Sequence, residues 1–248
     1  MPSQPAIFII GAGPQIATAG AHILIQAYFR LEGPQHYDTV AALFVRNGGF
    51  AVGLSSRSAE NLEKYKALLP EGTKVATAVA DANDPSSCVK ALDSLMSVLG
   101  SPSAVVFNAG SLSLGRQLIQ DMTPEDMEVH LRMNVVSGFA VMQWGVKNIV
   151  KDSEGRAAPV LIQILVTGGG LALQPFEGMS GLAAGKAGLL NIAKAFKVEA
   201  PHIHVATVIV NGYVDTDGWP DHKSPAIAKD YWELYTQKES EWVYEVMH

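Results

Sequence analysis

Along the chain, short apolar runs rich in β-branched residues alternate with longer segments whose apolar positions recur at helical spacing. The runs are AIFII (6–10), FAVGLS (50–55), KVATAVA (74–80), AVVFN (104–108), PVLIQILV (159–166) and HVATVIV (204–210). This alternation predicts an α/β fold, a parallel sheet covered on both faces by helices. Predicted helices lie between the strands. SAENLEKYKALL (58–69) opens on Ser58 as a loose cap, with Glu60 in its first turn. DPSSCVKALDSLMSVLG (84–100) is punctuated by Asp-Pro at one end and Gly at the other. TPEDMEVHLRMNVVSGFAVMQWGVKNIV (123–150) reads as one long helix capped by Thr123, and SGLAAGKAGLLNIAKAFKVEA (180–200) as another. The tail EWVYEV alternates and predicts a last short strand. No linker or low-complexity tract interrupts residues 1–248, so a single domain is expected.

Composition narrows the function classes. The net charge of −6 and the isoelectric point near 5.6 argue against nucleic acid or an anionic membrane as the main partner. One cysteine, Cys88, permits no internal disulfide and points to a reducing compartment. The apolar run Ala6–Ile10 is too short for a secretory signal and has no basic residue before it. A cytoplasmic protein without a membrane span is the expectation.

The predicted strands end in Gly, Ser, Asp, Asn or Thr, and open α/β sheets bind ligands at strand carboxyl ends. The first strand breaks into IIGAGPQIATAG (9–20), where Gly11 and Gly13 would let phosphate oxygens reach backbone N–H groups at a helix start. Gln15 and Ile16 would lie at that mouth, although Gln15 and Ala17 occupy positions where further glycines would strengthen the pattern. After the second strand stands Arg57, where a NAD site would want Asp or Glu; a guanidinium there can clamp a 2′-phosphate. Asp81 ends the third strand and Asn108-Ala109-Gly110 the fourth, and Asn211-Gly212-Tyr213-Val214-Asp215-Thr216 comes after the sixth.

In combination these residues resemble the short-chain dehydrogenase/reductase family, almost from end to end of the chain. That resemblance implies a Rossmann-like doubly wound parallel sheet and an NADP(H)-dependent oxidoreductase acting on a small carbonyl or alcohol, in secondary metabolism. It implies cofactor contacts from Gly11, Gly13, Gln15, Ile16, Arg57, Asp81, Asn108, Ala109, Gly110, Lys186, Gly212, Val214 and Thr216. Lys186 stands for the lysine of the family's YxxxK pair, and Asn134 for the helix asparagine of its proton relay. The tyrosine of that pair is missing. Four residues before Lys186 stands Leu182, which has no proton to donate. Thr167 is the nearest hydroxyl to the family's helper serine, and Tyr213 would lie near the nicotinamide. Lys186, Asn134 and Thr167 are therefore the expected catalytic positions. A relative that keeps the pocket and has lost redox chemistry, a pericyclase or a binding protein, is the alternative.

Other residues carry plainer expectations. His130, His202 and His204 show no metal-ligand spacing and read as surface or packing residues, and no metal is expected. Arg132 would face either the site or a subunit contact. Trp219, Tyr231, Trp232 and Tyr235 fall where relatives carry a lid over substrate, with core packing as the alternative for Trp232 and Tyr235. The helix over 123–150 and the one holding Lys186 match the helices that pair subunits in relatives, implying a homodimer or homotetramer with a small-molecule substrate.

The second strand arrives about twenty residues late for such a fold. Excising residues 20–39 leaves TAVAALFVRNGG as an ordinary first helix. Two origins account for the excess: a short retained intron, since a Gly codon GGT holds a splice donor and ACA-GT an acceptor, or an inserted amphipathic helix. Sequencing the transcript separates them.

Overall fold

The computed structural model describes residues 4–12, 40–111, 116–148, 163–212 and 224–248. Gly13, Gln15, Ile16, the segment 20–39, Tyr213, Val214, Thr216 and Trp219 lie outside them. Seven strands form one parallel sheet: β1 (Ala6–Ile10), β2 (Ala51–Ser56), β3 (Val75–Val79), β4 (Ala104–Phe107), β5 (Gln163–Gly169), β6 (Val205–Val210) and β7 (Glu245–Met247). Their spatial order, β3-β2-β1-β4-β5-β6-β7, reverses direction between β1 and β4. At that switch point the helices leaving the two strands go to opposite faces and open a crevice.

Side chains of successive strand residues alternate between two cores. Phe8, Ile10, Val105, Phe107, Ile164 and Val166 pack on the face of α3 (Pro85–Leu99), α5 (Ser137–Lys147) and α6 (Ser180–Glu199). Ile7, Ile9, Val106 and Leu165 pack on the opposite face, against α1 (Val40–Gly48) and α7 (Ser224–Thr236). Burial on both faces is why the central strands β1, β2, β4, β5 and β6 read as continuous apolar runs. Trp232 and Tyr235 join Phe44 and Phe50 in this second core, and Tyr231 is completely buried. These three residues are thus core members, and no lid role falls to them.

Strand and helix ends move by a few residues from the sequence reading, as at β5, which runs on to Gly169 instead of ending at 166. Ser58 does cap α2 (Ala59–Lys66), its hydroxyl accepting from the Asn61 N–H. The long helix expected over 123–150 runs without a break from Pro124 to Lys147, with one feature the sequence did not show: between α4 (Pro124–Leu131) and α5 lies a π-helical turn (Arg132–Val136). A π turn inserts one residue into the ladder and rotates the helix beyond it, a device often found at functional sites. Here it carries Asn134 inward and leaves Arg132 exposed. Among the described residues, no helix is long and apolar enough to cross a membrane.

Gly11 closes β1 with a φ of 84°, and a Cβ there would stand 2.6 Å from the Ala109 backbone nitrogen. Gly11→Ala combines left-handed strain with a collision against backbone that has no rotamer to yield. The variant is expected to lose about 2–4 kcal/mol of stability. Urea unfolding would show this as a lower midpoint at an unchanged m-value.

Candidate active site

The carboxyl ends of the strands are tied together by a chain of hydrogen bonds. The N–H groups of Gly11 and Ala12 both donate to the Ser55 carbonyl, at 3.0 and 2.7 Å, hooking the glycine turn onto β2. Asn108 Nδ2 donates to the Gly11 carbonyl at 3.0 Å. Thr167 Oγ1 donates to Asn108 Oδ1 at 2.8 Å, and the Tyr231 hydroxyl lies 2.5 Å from Thr167 Oγ1. With its proton given to Asn108, Thr167 accepts from Tyr231. The ends of β1, β4 and β5 are thereby linked to α7.

This chain reassigns Thr167. In the strand's alternation it shares the parity of Leu165, so its hydroxyl points to the α1/α7 face, whereas Lys186 arrives from α6 on the other face. Lys186 meets the threonine through the main chain, Nζ donating to the Thr167 carbonyl at 2.8 Å. The hydroxyl braces the strand ends. Tyr231→Phe, which deletes its donor, is expected to cost about 1 kcal/mol, readable as a fall in thermal midpoint.

Lys186 is buried, and desolvation pulls its ammonium from 10.5 down to about 8. A Cβ placed on Gly110 would lie 3.4 Å from Lys186 Nζ and 3.5 Å from Asn134 Oδ1. The two polar tips therefore converge beside Gly110, the last residue of the Asn-Ala-Gly turn. Asn134 is fully buried, and its Nδ2 donates to Ser111 Oγ at 2.8 Å and to the His130 carbonyl at 2.9 Å. Its Oδ1 is a buried acceptor with no partner among the described residues. An orphaned buried acceptor is costly, and one beside a buried ammonium suits a ligand group or water that can donate to it.

Two residues packed beside Asn134 were not placed there by the sequence reading. Ser111 comes directly after the Asn-Ala-Gly turn, and its Oγ lies 2.6 Å from His130 Nδ1. His130 is buried rather than at the surface, and desolvation lowers the ring's basicity while Asp126 opposes that shift. The i, i+4 spacing of His130 and Asn134 within one helical stretch was the available signal. Of the other histidines, His204 packs inside against Trp242 and His202 is exposed. Among the described residues, no cluster of His, Cys, Asp or Glu has metal-site geometry. Close approach of α6 to this region needs small residues: a Cβ on Gly185 would stand 2.7 Å from Asn134 Nδ2, and one on Gly181 2.6 Å from His130 Nε2.

The remaining expected contacts are spread along the same edge. Arg57 comes just after β2 and is exposed. Asp81 lies just beyond β3, its carboxylate accepting from the Asn83 N–H at 2.9 Å. Gly212 lies two residues beyond β6. Leu182, one turn before Lys186, is buried and carries no polar atom in its side chain.

Comparison with known proteins adds to this geometry. Residues 38–225 match the family model described as short chain dehydrogenase. Among curated proteins none matches the sequence significantly. A short-chain dehydrogenase from Rhodopseudomonas palustris superposes with a TM-score of 0.75 at 22% identity, over 100% of this chain and 99% of that one. One from Mycobacterium smegmatis gives 0.74 at 17%, over 98% and 91%. An alcohol dehydrogenase from the archaeon Thermococcus sibiricus, complexed with 5-hydroxy-NADP, gives 0.72 at 17%, over 99% and 96%. The identities are low and speak for the fold; the family model speaks for the sequence. With the doubly wound sheet, the Asn-Ala-Gly turn and the buried lysine in place, the chain belongs to the short-chain dehydrogenase family, a family of oxidoreductases.

Proposed function

We propose that the chain is an NADP(H)-dependent oxidoreductase acting on a small carbonyl or alcohol substrate. The observation that carries this reading is the pairing of a buried Lys186 with the unpartnered Oδ1 of Asn134 beside Gly110. No carboxylate acts on the ammonium among the described residues, so a donor and an acceptor stand ready for neutral polar groups. Ribose hydroxyls, which both donate and accept, suit that pair. The residues present thus fit a nicotinamide dinucleotide. Gly11 lets the first turn come close to Ala109, and Arg57, with no carboxylate beside it in SSRS, supports a 2′-phosphate. Asp81, Asn108, Ala109, Gly110 and Gly212 line the same edge and would flank the rest of the cofactor. The outlying Gly13, Gln15, Ile16, Val214 and Thr216 belong to the same proposed set.

Once bound, the nicotinamide supplies or accepts a hydride. Lys186 then orients the ribose, and its charge lowers the cost of negative charge developing on a nearby oxygen. Asn134 holds a donor or water opposite it. Exposed Val136 and Phe139, with Phe139 packed on Phe196, support pairing of subunits through α5 and α6. The acidic balance and single cysteine support a cytoplasmic location.

Titration calorimetry with NADPH and NADH, paired with NADPH oxidation over a panel of ketones and aldehydes, tests the reading. Tighter binding of NADPH together with turnover is the expected result. Binding without turnover on any carbonyl would make the chain a binding protein, and no binding of either cofactor would remove the reading altogether.

A further inference from the structure

The carboxyl end of β5 runs out through Gly168, Gly169 and Gly170, so it presents bare backbone where other strands present side chains. Lys186 flanks that backbone: a Cβ on Gly169 would stand 3.8 Å from Lys186 Cγ. The neighbouring strand is β6, paired with β5 as far as Gly169 and Val210. Its next residue, Asn211, is exposed, and its N–H donates to the His248 carbonyl at 3.0 Å, which fixes the main chain there. The Asn211 side chain lies over Gly170, where a Cβ would overlap Oδ1 and stand 2.8 Å from Cγ. Gly170 is buried, so only glycine leaves the amide this seat. Among the described residues, none hydrogen-bonds the Asn211 amide. Its Nδ2 donor and its Oδ1 acceptor are both open to a ligand.

Strand order decides which part of a dinucleotide would reach this amide. The carboxyl edge runs β2-β1-β4-β5-β6, with neighbours about 4.8 Å apart. Arg57 follows β2 and Gly11 closes β1, so the 2′-phosphate and the pyrophosphate belong at that end. Lys186 and Asn134 converge by Gly110, beyond β4, where they suit the second ribose. Continued in the same direction, the base on that ribose comes to β5 and β6. We propose that the Asn211 amide recognises the carboxamide of the nicotinamide, Nδ2 donating to the carboxamide oxygen and Oδ1 accepting from its amino group. This rests on the NADP(H) reading. A carboxamide is the complement of an asparagine amide, since each offers a donor edge and an acceptor edge. A ketone oxygen would use the donor alone. Gly170 seats the amide beforehand, so little side-chain freedom is lost on binding. Asn211 is thereby a determinant of which base the site accepts.

Calorimetry on the full chain with three probes tests this. They are NADP⁺, nicotinic acid adenine dinucleotide phosphate, which has a carboxylate in place of the carboxamide, and adenosine 2′,5′-bisphosphate, which lacks the nicotinamide half. Asn211→Ala should weaken NADP⁺ about tenfold and leave the bisphosphate unchanged. Wild-type protein should prefer NADP⁺ to the acid analogue, and Asn211→Ala should lose most of that preference. Asn211→Asp still accepts from a carboxamide but repels a carboxylate. It should keep more NADP⁺ affinity than Asn211→Ala and bind the acid analogue least of the three proteins. Where the wild type takes NAD⁺ instead, NAD⁺, its nicotinic acid analogue and AMP replace the three probes. Wild-type affinity for NADP⁺ in Asn211→Ala, or an equal loss for NADP⁺ and the bisphosphate, overturns the assignment and leaves the oxidoreductase reading standing. Wild-type protein that binds neither NADP⁺ nor NAD⁺ overturns both.

Discussion

Lys186→Met is expected to cut turnover by roughly 10²–10⁴-fold and, at neutral pH, to make the protein more stable. The first effect comes from removing the charged donor that stands beside Gly110 and, in the proposed reading, bonds the ribose. The second comes from burial. The ammonium is held at about 8 against an ordinary 10.5, a shift worth on the order of 3 kcal/mol. The direction is that of a base whose folded value is depressed. Below about pH 8 the lysine is charged in both states, and the folded protein bears the whole desolvation cost. Between about 8 and 10.5 the unfolded chain binds more protons, so wild-type stability from this group rises with pH. Methionine fills the space without the charge but leaves the Thr167 carbonyl short of a donor, which returns about 1 kcal/mol. Urea midpoints measured from pH 7 to pH 10 should show the variant ahead at pH 7 and its advantage shrinking above pH 8. An equal midpoint at every pH would mean that the lysine is solvated. Loss of stability at pH 7 with full activity would sink its role in the site.

Arg57→Glu is expected to weaken NADPH roughly 10- to 100-fold while NADH changes little. A guanidinium facing a 2′-phosphate contributes a charge-assisted bond of about 1.5–3 kcal/mol. Glutamate replaces that with repulsion, and its carboxylate can instead accept from the ribose 2′-hydroxyl of NADH. Arg57 is exposed, so the exchange touches no core and should leave unfolding unaltered. The ratio of NADPH to NADH affinities, measured by calorimetry for both proteins, is the readout. An unchanged ratio would show that Arg57 is a solvated surface residue and would return cofactor choice to another position.

The outline of the sheet was legible because its five central strands, β1, β2, β4, β5 and β6, are buried on both sides and therefore read as unbroken apolar runs. The caps at Ser58, Asp84 and Thr123 were legible because capping is local: each side chain bonds an N–H two or three residues on. The π turn was not, because its residues RMNVV are ordinary helix formers, and only packing decides that Asn134 turns inward. Thr167 was expected at the chemistry because it is the nearest hydroxyl to the helper serine that the family resemblance implies. Which face it takes depends on strand parity, and parity is visible only once Leu165 and Tyr231 are seen together. Between surface and packing, the two readings the sequence left open for His130, only the tertiary structure chose, burying it against Ser111 on another element.

What the sequence determined by itself is the periodic part: strand and helix alternation, the turn residues at strand ends, the lysine at 186 and the leucine at 182. These are properties of neighbours along the chain, where steric and hydrogen-bond preferences act over a few residues. The tertiary structure alone decided which polar atoms meet. It set Lys186 and Asn134 around Gly110, turned Thr167 to the opposite face, and joined Ser111 to His130. Such pairings depend on how helices from distant parts of the chain settle on the sheet, and burial then makes each pairing energetically binding because no water is there to replace it.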